Sequence, residues 1–369
     1  MFKNAMVIGK FYPPHAGHAH LINTAAAQSD NVSVLVLGNR FESITVADRA
    51  KWLAAEFADT AGVQVIGMRN DCPEDYHSEE IWKAQAELMR LALKSRGVTA
   101  VDAVFSSEEY GARLAAAFGA GHVLVDQSRT TYQVSGTLCR DALGAAWPYI
   151  IGPARQELAT RIIVVGAESS GTTTLTTGLT GRYRTRFPRL ADVPEYGREY
   201  TYKKFEALQR GKPDAQLGDM VWTEQDFGRI GARQNAMESA AADACPLVIA
   251  DTDSLATTLW ERFYLGERSY GSFHAAGNLP QRDLYLITDH DGVDFEDDGW
   301  REGEHRRADM TEWFKETLTD EGHSWILVSG DHERRMATAV EIIDLILARR
   351  SEFTSPPWVT RTVLEGVTA

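Results

Sequence analysis

The chain has 369 residues, of which 44% are apolar and 24% charged, and its formal net charge is −14 at pH 7. This length predicts two domains of about 150 residues each, and the composition is that of an ordinary globular protein. The acidic balance disfavours nonspecific binding to nucleic acid or to an anionic membrane. Anionic ligands would therefore need local arginine, histidine and backbone amide groups.

The cysteines and the start of the chain indicate a reducing compartment. Cys72, Cys139 and Cys245 are far apart and odd in number, which fits neither a zinc site nor a disulfide framework. The first apolar run follows Met1 almost at once and leaves no signal peptide, and no apolar run approaches the ~20 residues of a membrane span. We expect a cytoplasmic protein with no membrane partner, and a homo-oligomer remains an open alternative.

The stretch VIGKFYPPHAGH, residues 7–18, is the strongest signal in the first half of the chain. The apolar run Ala5–Ile8 predicts a buried strand, a proline-containing loop follows it, and Ala19–Ala27 predicts a helix. His15 and His18 then lie where a parallel α/β sheet binds ligands, beside backbone amides and a helix dipole that favour phosphate. The alternative is two surface histidines in a turn, because short motifs have high false-positive rates.

Apolar runs and helical patterns alternate through the rest of this half. Strands are predicted at Val32–Leu37, Val63–Met68, Ala103–Ser106 and His122–Val125, and helices up to Phe57 and over Ile81–Arg96 and Glu108–Phe118. Strands that alternate with helices predict a parallel, doubly wound sheet.

A second motif, VSGTLCR, follows the fifth predicted strand and opens a helix. Ser135 and Thr137 offer hydroxyl groups, and Arg140 offers a planar guanidinium that matches phosphate oxygens. An ordinary serine- and threonine-rich helix cap is the alternative. Paired with the first motif, the segment favours a phosphate site.

The segment WPYIIGPARQEL separates the two halves, so we predict domains at residues 1–155 and 156–350 and an irregular tail at 351–369. Arg161–Val165 predicts a strand, and GAESSGTTTL follows it before a helix, similar to the phosphate-binding loop G-x-x-x-x-G-K-[ST]. Thr173 stands at the Mg²⁺-binding hydroxyl position of that motif. Thr172 stands where the motif has lysine, so either another cation enters the site or nucleotide binds weakly.

Downstream segments fit a small P-loop kinase. VPEYGREY places Glu195 and Arg198 together, and PLVIADTD predicts a strand that ends in Asp251 and Asp253, as in a Walker B region. Asp251 would reach Mg²⁺ directly or through water. The polar segment DHDGVDFEDDGWREGEHRR is either a lid or a solvated loop, with Arg301, Arg306 and Arg307 as candidates to replace the missing lysine charge. Further strands are predicted at Asp283–Thr288 and Trp325–Ser329, and a closing helix at Ala337–Arg349. The segment GDHERR is predicted to border the adenine pocket.

Together these motifs resemble the bifunctional nicotinamide-mononucleotide adenylyltransferase/ribosylnicotinamide kinases of the NadR family, most specifically through GKFYPPHAGH, FSSEEYG and VSGTLCR. The resemblance covers nearly the whole chain. It implies a Rossmann-like nucleotidylyltransferase domain followed by a P-loop kinase α/β domain, acting in NAD biosynthesis and salvage. The first would transfer the adenylyl group of ATP to nicotinamide mononucleotide, giving NAD and pyrophosphate. The second would phosphorylate the 5′-hydroxyl of ribosylnicotinamide with ATP, and Mg²⁺ would bridge the phosphates.

The resemblance also implies roles for individual residues. The catalytic set is His15, His18, Arg140, Glu195 and Asp251, with His18 at the α-phosphate and Glu195 or Asp251 accepting the hydroxyl proton. The ATP contacts are Gly9, Lys10, Phe11, Arg40, Ser135, Thr137, Gly166, Ser169, Ser170, Gly171, Thr172, Thr173 and Thr174. The substrate contacts are Trp82, Arg198, Asp253, Arg301 and Arg306, and the metal ligands are Thr173 and Asp251. The match of Arg40 is looser, and a solvated face or an ion pair is its alternative. For Trp82 the alternative is a core residue of an amphipathic helix.

Three other functions remain open. A related adenylyltransferase would act on phosphopantetheine, which the kinase half disfavours, or on nicotinate mononucleotide. The second domain could sense nucleotide without catalysis, which Thr172 favours. A DNA-binding regulator is disfavoured by the net charge and because the chain leaves no room before its first strand for the helix-turn-helix domain of some members. We therefore expect no nucleic-acid partner.

Overall fold

The computed structural model describes residues 1–72, 78–266, 282–296, 300 and 303–356. Their contacts divide into two compact units, Met1–Arg155 together with Ser351–Ala369, and Gln156–Arg350. Each unit contains a five-stranded parallel sheet with helices packed against it. The predicted α/β fold with two parallel sheets is confirmed. Within the described residues, no helix is both long enough and apolar enough to cross a membrane.

The sheet of the first unit has the strand order β3-β2-β1-β4-β5, all parallel. Its strands are β1 (Phe2–Gly9), β2 (Ser29–Gly38), β3 (Val63–Arg69), β4 (Ala103–Ser106) and β5 (Gly121–Leu124). Its helices are α1 (Ala16–Gln28), α2 (Val46–Glu56), α3 (Glu79–Lys94), α4 (Tyr110–Phe118), α5 (Gly136–Asp141) and α6 (Leu143–Ala146), and α7 (Gly152–Leu158) crosses into the second unit. The winding direction reverses between β1 and β4, so a ligand crevice is expected at their carboxyl ends.

Helix α1 begins three residues before the predicted start, at Ala16 rather than Ala19. His15 is its N-cap with an extended backbone, φ −142° and ψ 172°. The backbone N–H of His15 donates to Nδ1 of His18 at 3.2 Å, so a side chain of the first turn satisfies the amide at the entrance to the helix. The two histidines of the motif therefore lie on the helix start itself.

The sheet of the second unit has the order β10-β9-β6-β8-β7, again all parallel. Its strands are β6 (Thr160–Gly166), β7 (Asp192–Val193), β8 (Leu247–Asp251), β9 (Leu284–Thr288) and β10 (Trp325–Val328). Its further helices are α8 (Thr172–Tyr183), α9 (Tyr196–Gly211), α10 (Glu224–Ala244), α11 (Ser254–Leu265), α12 (Arg307–Asp320) and α13 (His332–Arg350). Every residue of β6 and β8 is buried, in agreement with the apolar runs at their centres.

Candidate active sites

The histidine pair lies in the loop between β1 and α1. The rings of His15 and His18 are stacked, with centroids 3.6 Å apart and planes at 22°. The ring of Phe11 meets His18 edge-on at 4.8 Å. A Cβ on Gly9 would stand 3.2 Å from the Phe11 ring, so the glycine makes room for it. The motif thus folds into one packed cluster at the carboxyl end of β1.

Both histidines are electrically neutral at pH 7. Burial and the positive charge of Arg129 lower the pKa of His15 to about 4. Burial, His15 and Arg129 hold the pKa of His18 well below its ordinary value. Because Nδ1 of the neutral His18 ring accepts a hydrogen bond, its proton lies on Nε2. His18 can therefore offer an uncharged N–H donor to a phosphate oxygen.

The two motifs of the first unit meet although 128 residues separate them. Nη1 of Arg140 donates to the backbone carbonyl of Tyr12 at 2.8 Å, and Nη2 donates to Thr137 Oγ1 at 3.3 Å. The hydroxyl of Ser135 accepts from the backbone of Leu138 at 3.1 Å, so it caps α5. The guanidinium of Arg140 therefore lies beside the histidine loop. Ser135 caps the helix, as the alternative interpretation of this motif predicted.

Helix α2 and the loop after β2 are joined to the loop after β1 by a buried arginine. Arg49 is fully buried, pairs with Glu42 at 2.6 Å and donates to the carbonyl of Lys10 at 2.6 Å. The backbone of Arg40 donates to Asp71 at 3.0 Å, and its exposed guanidinium lies 5.0 Å from the ring of Phe41. The buried Arg49 therefore supports the loop after β1 and the loop after β2.

The structure favours the core alternative for Trp82. The side chain is 9% exposed and packs in the hydrophobic core of the first unit. The guanidinium of Arg113 covers its ring at 4.5 Å. Because Arg113 lies over this ring and most of the side chain packs in the core, the expectation that Trp82 stacks on a pyridinium ring is not supported.

Sequence reasoning missed Arg129, which lowers the pKa of both histidines. Arg129 lies in a turn after β5, where the carboxylate of Asp126 accepts hydrogen bonds from the backbones of Thr130 and Thr131. Both Asp126 and Arg129 have positive φ, 42° and 54°. The aspartate and threonines indicated a turn, but no local pattern showed which residues this turn would face.

The P-loop of the second unit has the geometry that its glycines require. A Cβ on Gly166 would come within 2.1 Å of Thr288 Oγ1, and Gly171 has a φ of 92°. The hydroxyl of Ser170 donates to the carbonyl of Ala167 at 2.6 Å, and its oxygen lies 2.6 Å from Thr288 Oγ1. Gly166 and Ser170 thus shape the loop through packing and internal hydrogen bonds.

Two arginines hold the P-loop by its carbonyl groups. Nη2 of Arg307 donates to the carbonyl of Ser169 at 3.1 Å, and Nη1 of Arg335 donates to that of Ser170 at 2.7 Å. Both arginines are buried. Arg307 also donates to the carbonyls of Val293 and His290. It is therefore a support of the loop, and the expectation that it serves as a lid cation is not supported.

A threonine–aspartate pair marks the candidate metal position. Thr173 Oγ1 donates to Asp251 Oδ2 at 2.5 Å, at the end of β8. Burial raises the pKa of Asp251, and hydrogen bonds from Thr173 and Thr172 and the positive charge of Arg198 oppose this rise. A hydroxyl and a carboxylate oxygen are ligands that fit Mg²⁺.

A cavity of about 520 Å³ joins the P-loop to an aromatic wall. The P-loop contributes Gly166, Ser169, Ser170, Gly171, Thr172, Thr173 and Thr174 to the lining, and the predicted site residues Glu195, Arg198 and Asp251 also line the cavity. The aromatic wall consists of Tyr202, Trp222, Phe227, Trp260, Tyr264 and Trp300. The rings of Trp222 and Tyr264 lie 5.2 Å apart. Sequence reasoning missed this wall, because its members come from α9, α10, α11 and the segments between elements, with no shared motif.

The segment predicted to border the adenine pocket lines the described part of the cavity, whereas Arg306 of the predicted lid does not. Gly330, Asp331, His332 and Arg335 of the GDHERR segment line the cavity. Arg306 is absent from the described lining residues: it lies over the ring of Trp313 at 5.0 Å and pairs with Asp309 at 3.3 Å. Its predicted substrate contact is therefore not supported. Arg301 lies outside the described residues.

Asp253 has a structural position instead of the expected substrate contact. It is fully buried, its Oδ1 accepts from the backbone of Ala256 at 2.8 Å, and it caps α11. The hydroxyl of Tyr285 donates to its Oδ2 at 2.7 Å, and Nε of Arg282 lies 3.4 Å from the same oxygen. Because these partners surround the carboxylate and the described cavity lining does not include it, the predicted substrate role of Asp253 is not supported.

The chain is similar in sequence to two proteins named trifunctional NAD biosynthesis/regulator protein NadR. It is 26% identical to the Salmonella typhimurium protein over 279 residues, which are 71% of this chain and 63% of that protein. It is 29% identical to the Escherichia coli protein over 211 residues, which are 53% of this chain and 49% of that protein. The chain thus spans less than two thirds of the Salmonella typhimurium protein and about half of the Escherichia coli protein.

The comparison of folds agrees with the sequence similarity. Crystal structures of NadR protein in complex with NR, and of NadR protein in complex with NAD and AMP-PNP, match with TM-scores of 0.56 and 0.55. Each is 22% identical to this chain, and each match covers 93% of this chain and 95% of the other. A family model described as AAA domain matches residues 161–335, inside the second unit.

Proposed function

We propose, starting from the homology of this chain to the NadR proteins, that it makes NAD in two ATP-dependent steps. The homology supports a role in NAD biosynthesis and in nucleotide binding. The finer assignment is adenylyl transfer to nicotinamide mononucleotide in the first unit and phosphorylation of ribosylnicotinamide in the second. The kinase product would be the substrate of the adenylyl transfer.

One observation carries the adenylyl step: the contact between the histidine loop and Arg140 through the carbonyl of Tyr12. The 5′-phosphate of nicotinamide mononucleotide would attack the α-phosphorus of ATP in line, forming one P–O bond while the bond to pyrophosphate breaks. His18 Nε2–H would donate to the α-phosphate, and the remaining guanidinium donors of Arg140 would hold the β- and γ-phosphates. Such transfer depends on positioning and on neutralisation of charge.

The cavity of the second unit supports the kinase step. Its P-loop side suits the phosphates of ATP, and its aromatic wall offers ring faces that can stack on a cationic pyridinium nucleoside. Glu195 or Asp251 would accept the proton of the 5′-hydroxyl as that oxygen attacks the γ-phosphorus and ADP leaves. Thr173 and Asp251 would hold Mg²⁺, which when bound neutralises phosphate charge.

Arg198 is the residue we assign to the missing lysine charge. It lines the same cavity as Thr172, and its positive charge acts on Asp251. The other described arginine in the lining, Arg335, is committed to the carbonyls of Ser170, Gly330 and Asp289. Thr172 in turn contributes a hydrogen bond to Asp251 instead of a charge.

A product assay on the purified chain tests both steps. The protein is incubated with ATP, Mg²⁺ and ribosylnicotinamide, and nicotinamide mononucleotide, NAD and ADP are separated by chromatography. Both products are expected, and nicotinate mononucleotide in parallel reactions tests the competing substrate. If the second unit binds ATP but yields no ADP, the chain is an adenylyltransferase with a nucleotide-sensing unit, the function that Thr172 favours. Absence of NAD from nicotinamide mononucleotide would refute the adenylyl step.

A further inference from the structure

We propose that residues 353–356, called the strap below, are part of the adenylyl-transfer site. Within it Phe353 and Thr354 are positioning residues, which act on the ATP side of the site by holding Tyr12. The strap follows the last helix of the second unit in sequence, but its contacts group it with the first unit. The inference rests on the proposed adenylyl transfer.

The hydroxyl of Tyr12 is held by the strap and by the loop after β2. It donates to the carbonyl of Thr354 at 2.9 Å. The backbone of Ser43 donates to the same hydroxyl at 3.0 Å, and Ser43 Oγ lies 2.7 Å from it. Because a carbonyl only accepts, the Tyr12 proton points to Thr354, and Ser43 Oγ is the donor of its own bond.

The strap has two further anchors on the same unit. The ring of Phe353 meets the Tyr12 ring edge-on, with centroids 5.6 Å apart and planes at 86°. The hydroxyl of Thr354 donates to the carbonyl of Phe41. Pro356 is buried. The strap therefore links the loop after β1 to the loop after β2.

Tyr12 connects these anchors to the phosphate-binding groups. Two guanidinium groups lie over its ring, that of Arg49 at 5.1 Å and that of Arg140 at 5.5 Å from the centroid. Its carbonyl accepts from Arg140 at 2.8 Å. Tyr12 itself is only 4% exposed. Loss of the strap would leave the tyrosine hydroxyl with Ser43 as its partner and would uncover the ring, so the carbonyl that Arg140 binds would be held less firmly.

Loss of the strap should weaken the binding of ATP in adenylyl transfer more than the binding of nicotinamide mononucleotide. A guanidinium that must find its position binds the triphosphate less well than one already in place. We expect about a tenfold higher KM for ATP in adenylyl transfer, with a smaller change in KM for nicotinamide mononucleotide. Phosphorylation of ribosylnicotinamide should remain unchanged, because no residue of the strap belongs to the second unit.

Two truncations of the full chain provide the main test. One ends at Ser351 and removes the strap, and its matched control ends at Pro357 and keeps it. Steady-state kinetics of both reactions are combined with hydrogen exchange of the backbone amides in residues 11–18. The shorter chain should show the higher KM for ATP and faster exchange, while the control matches the full chain. Equal kinetics and exchange in the two truncations would overturn the proposal.

Point variants cover the case in which the shorter chain folds poorly. Phe353→Ala should reproduce the higher KM for ATP at unchanged kinase activity, and Glu352→Ala, at an exposed neighbouring position, should not. A parallel fall of both activities in Phe353→Ala would indicate general destabilisation and contradict the positioning role. If the full chain makes no NAD, the proposed function fails, whereas exchange in residues 11–18 still decides whether the strap holds the loop.

Discussion

The stacked histidines of the first unit should stay neutral at a pH where an ordinary imidazole is charged. Burial and Arg129 lower the pKa of His15 from 6.5 to about 4. At pH 5.5 an imidazole of ordinary pKa is ~90% protonated, whereas His15 would be ~3% protonated. In the proposed adenylyl transfer, this pair would therefore offer neutral donors to phosphate, and the positive charge would come from the neighbouring arginines.

This low pKa fixes the sign of a stability change. The unfolded chain takes up the His15 proton near pH 6.5 and the folded chain only near pH 4. The free energy of unfolding is therefore unaffected well above pH 6.5 and falls as the pH decreases through this window. At ~1.4 kcal/mol per pH unit, His15 alone lowers it by about 3 kcal/mol by pH 4. His18 adds a loss in the same direction.

Nuclear magnetic resonance measures the protonation directly. The Cε1–H signals of the imidazoles are followed from pH 7.5 to pH 4, and the variants His15→Asn and His18→Asn assign them. Denaturant unfolding of the first unit, at the same pH values, should lose less stability on acidification in His15→Asn than in the unchanged chain. A midpoint near pH 6.5 for the His15 signal would refute the reasoning.

Three further predictions follow from the two sites. His18→Ala should lower NAD synthesis from nicotinamide mononucleotide by about 10²–10³-fold, because it removes a donor at the α-phosphate, and near-normal turnover would contradict this. Arg198→Ala should lower kinase kcat by about 10²-fold or more, measured by ADP release, whereas Arg210→Ala on the same helix should not; equal activities would remove Arg198 from the site. Asp253→Ala should lower the free energy of unfolding by about 3–5 kcal/mol, since its buried partners lose their carboxylate; a changed KM for ribosylnicotinamide at normal stability would instead restore its substrate role.

The sequence by itself determined the elements whose signal is local. Within the described residues, apolar runs predicted every strand except the short β7, closely enough to place Gly9 and Gly166 at strand ends. At Gly166 the hydroxyl of Thr288 occupies the space of a Cβ, and at Gly9 the ring of Phe11 leaves little room for one. The positions of the histidine motif, the P-loop and Asp251 followed from the same rule, that ligand-binding loops lie at the carboxyl ends of parallel strands.

Only the tertiary structure decided which side chains face one another. Arg140 meets Tyr12 across 128 positions, and Tyr12 meets Thr354 across 342. In the tertiary structure, Arg307 donates to a P-loop carbonyl and the guanidinium of Arg113 lies over the ring of Trp82. A local pattern sets periodicity, chain reversals and helix ends, but an arginine or an aromatic residue has the same local pattern in a core, in an ion pair or in a site. What separates these roles is the partner that packing brings within a few ångströms.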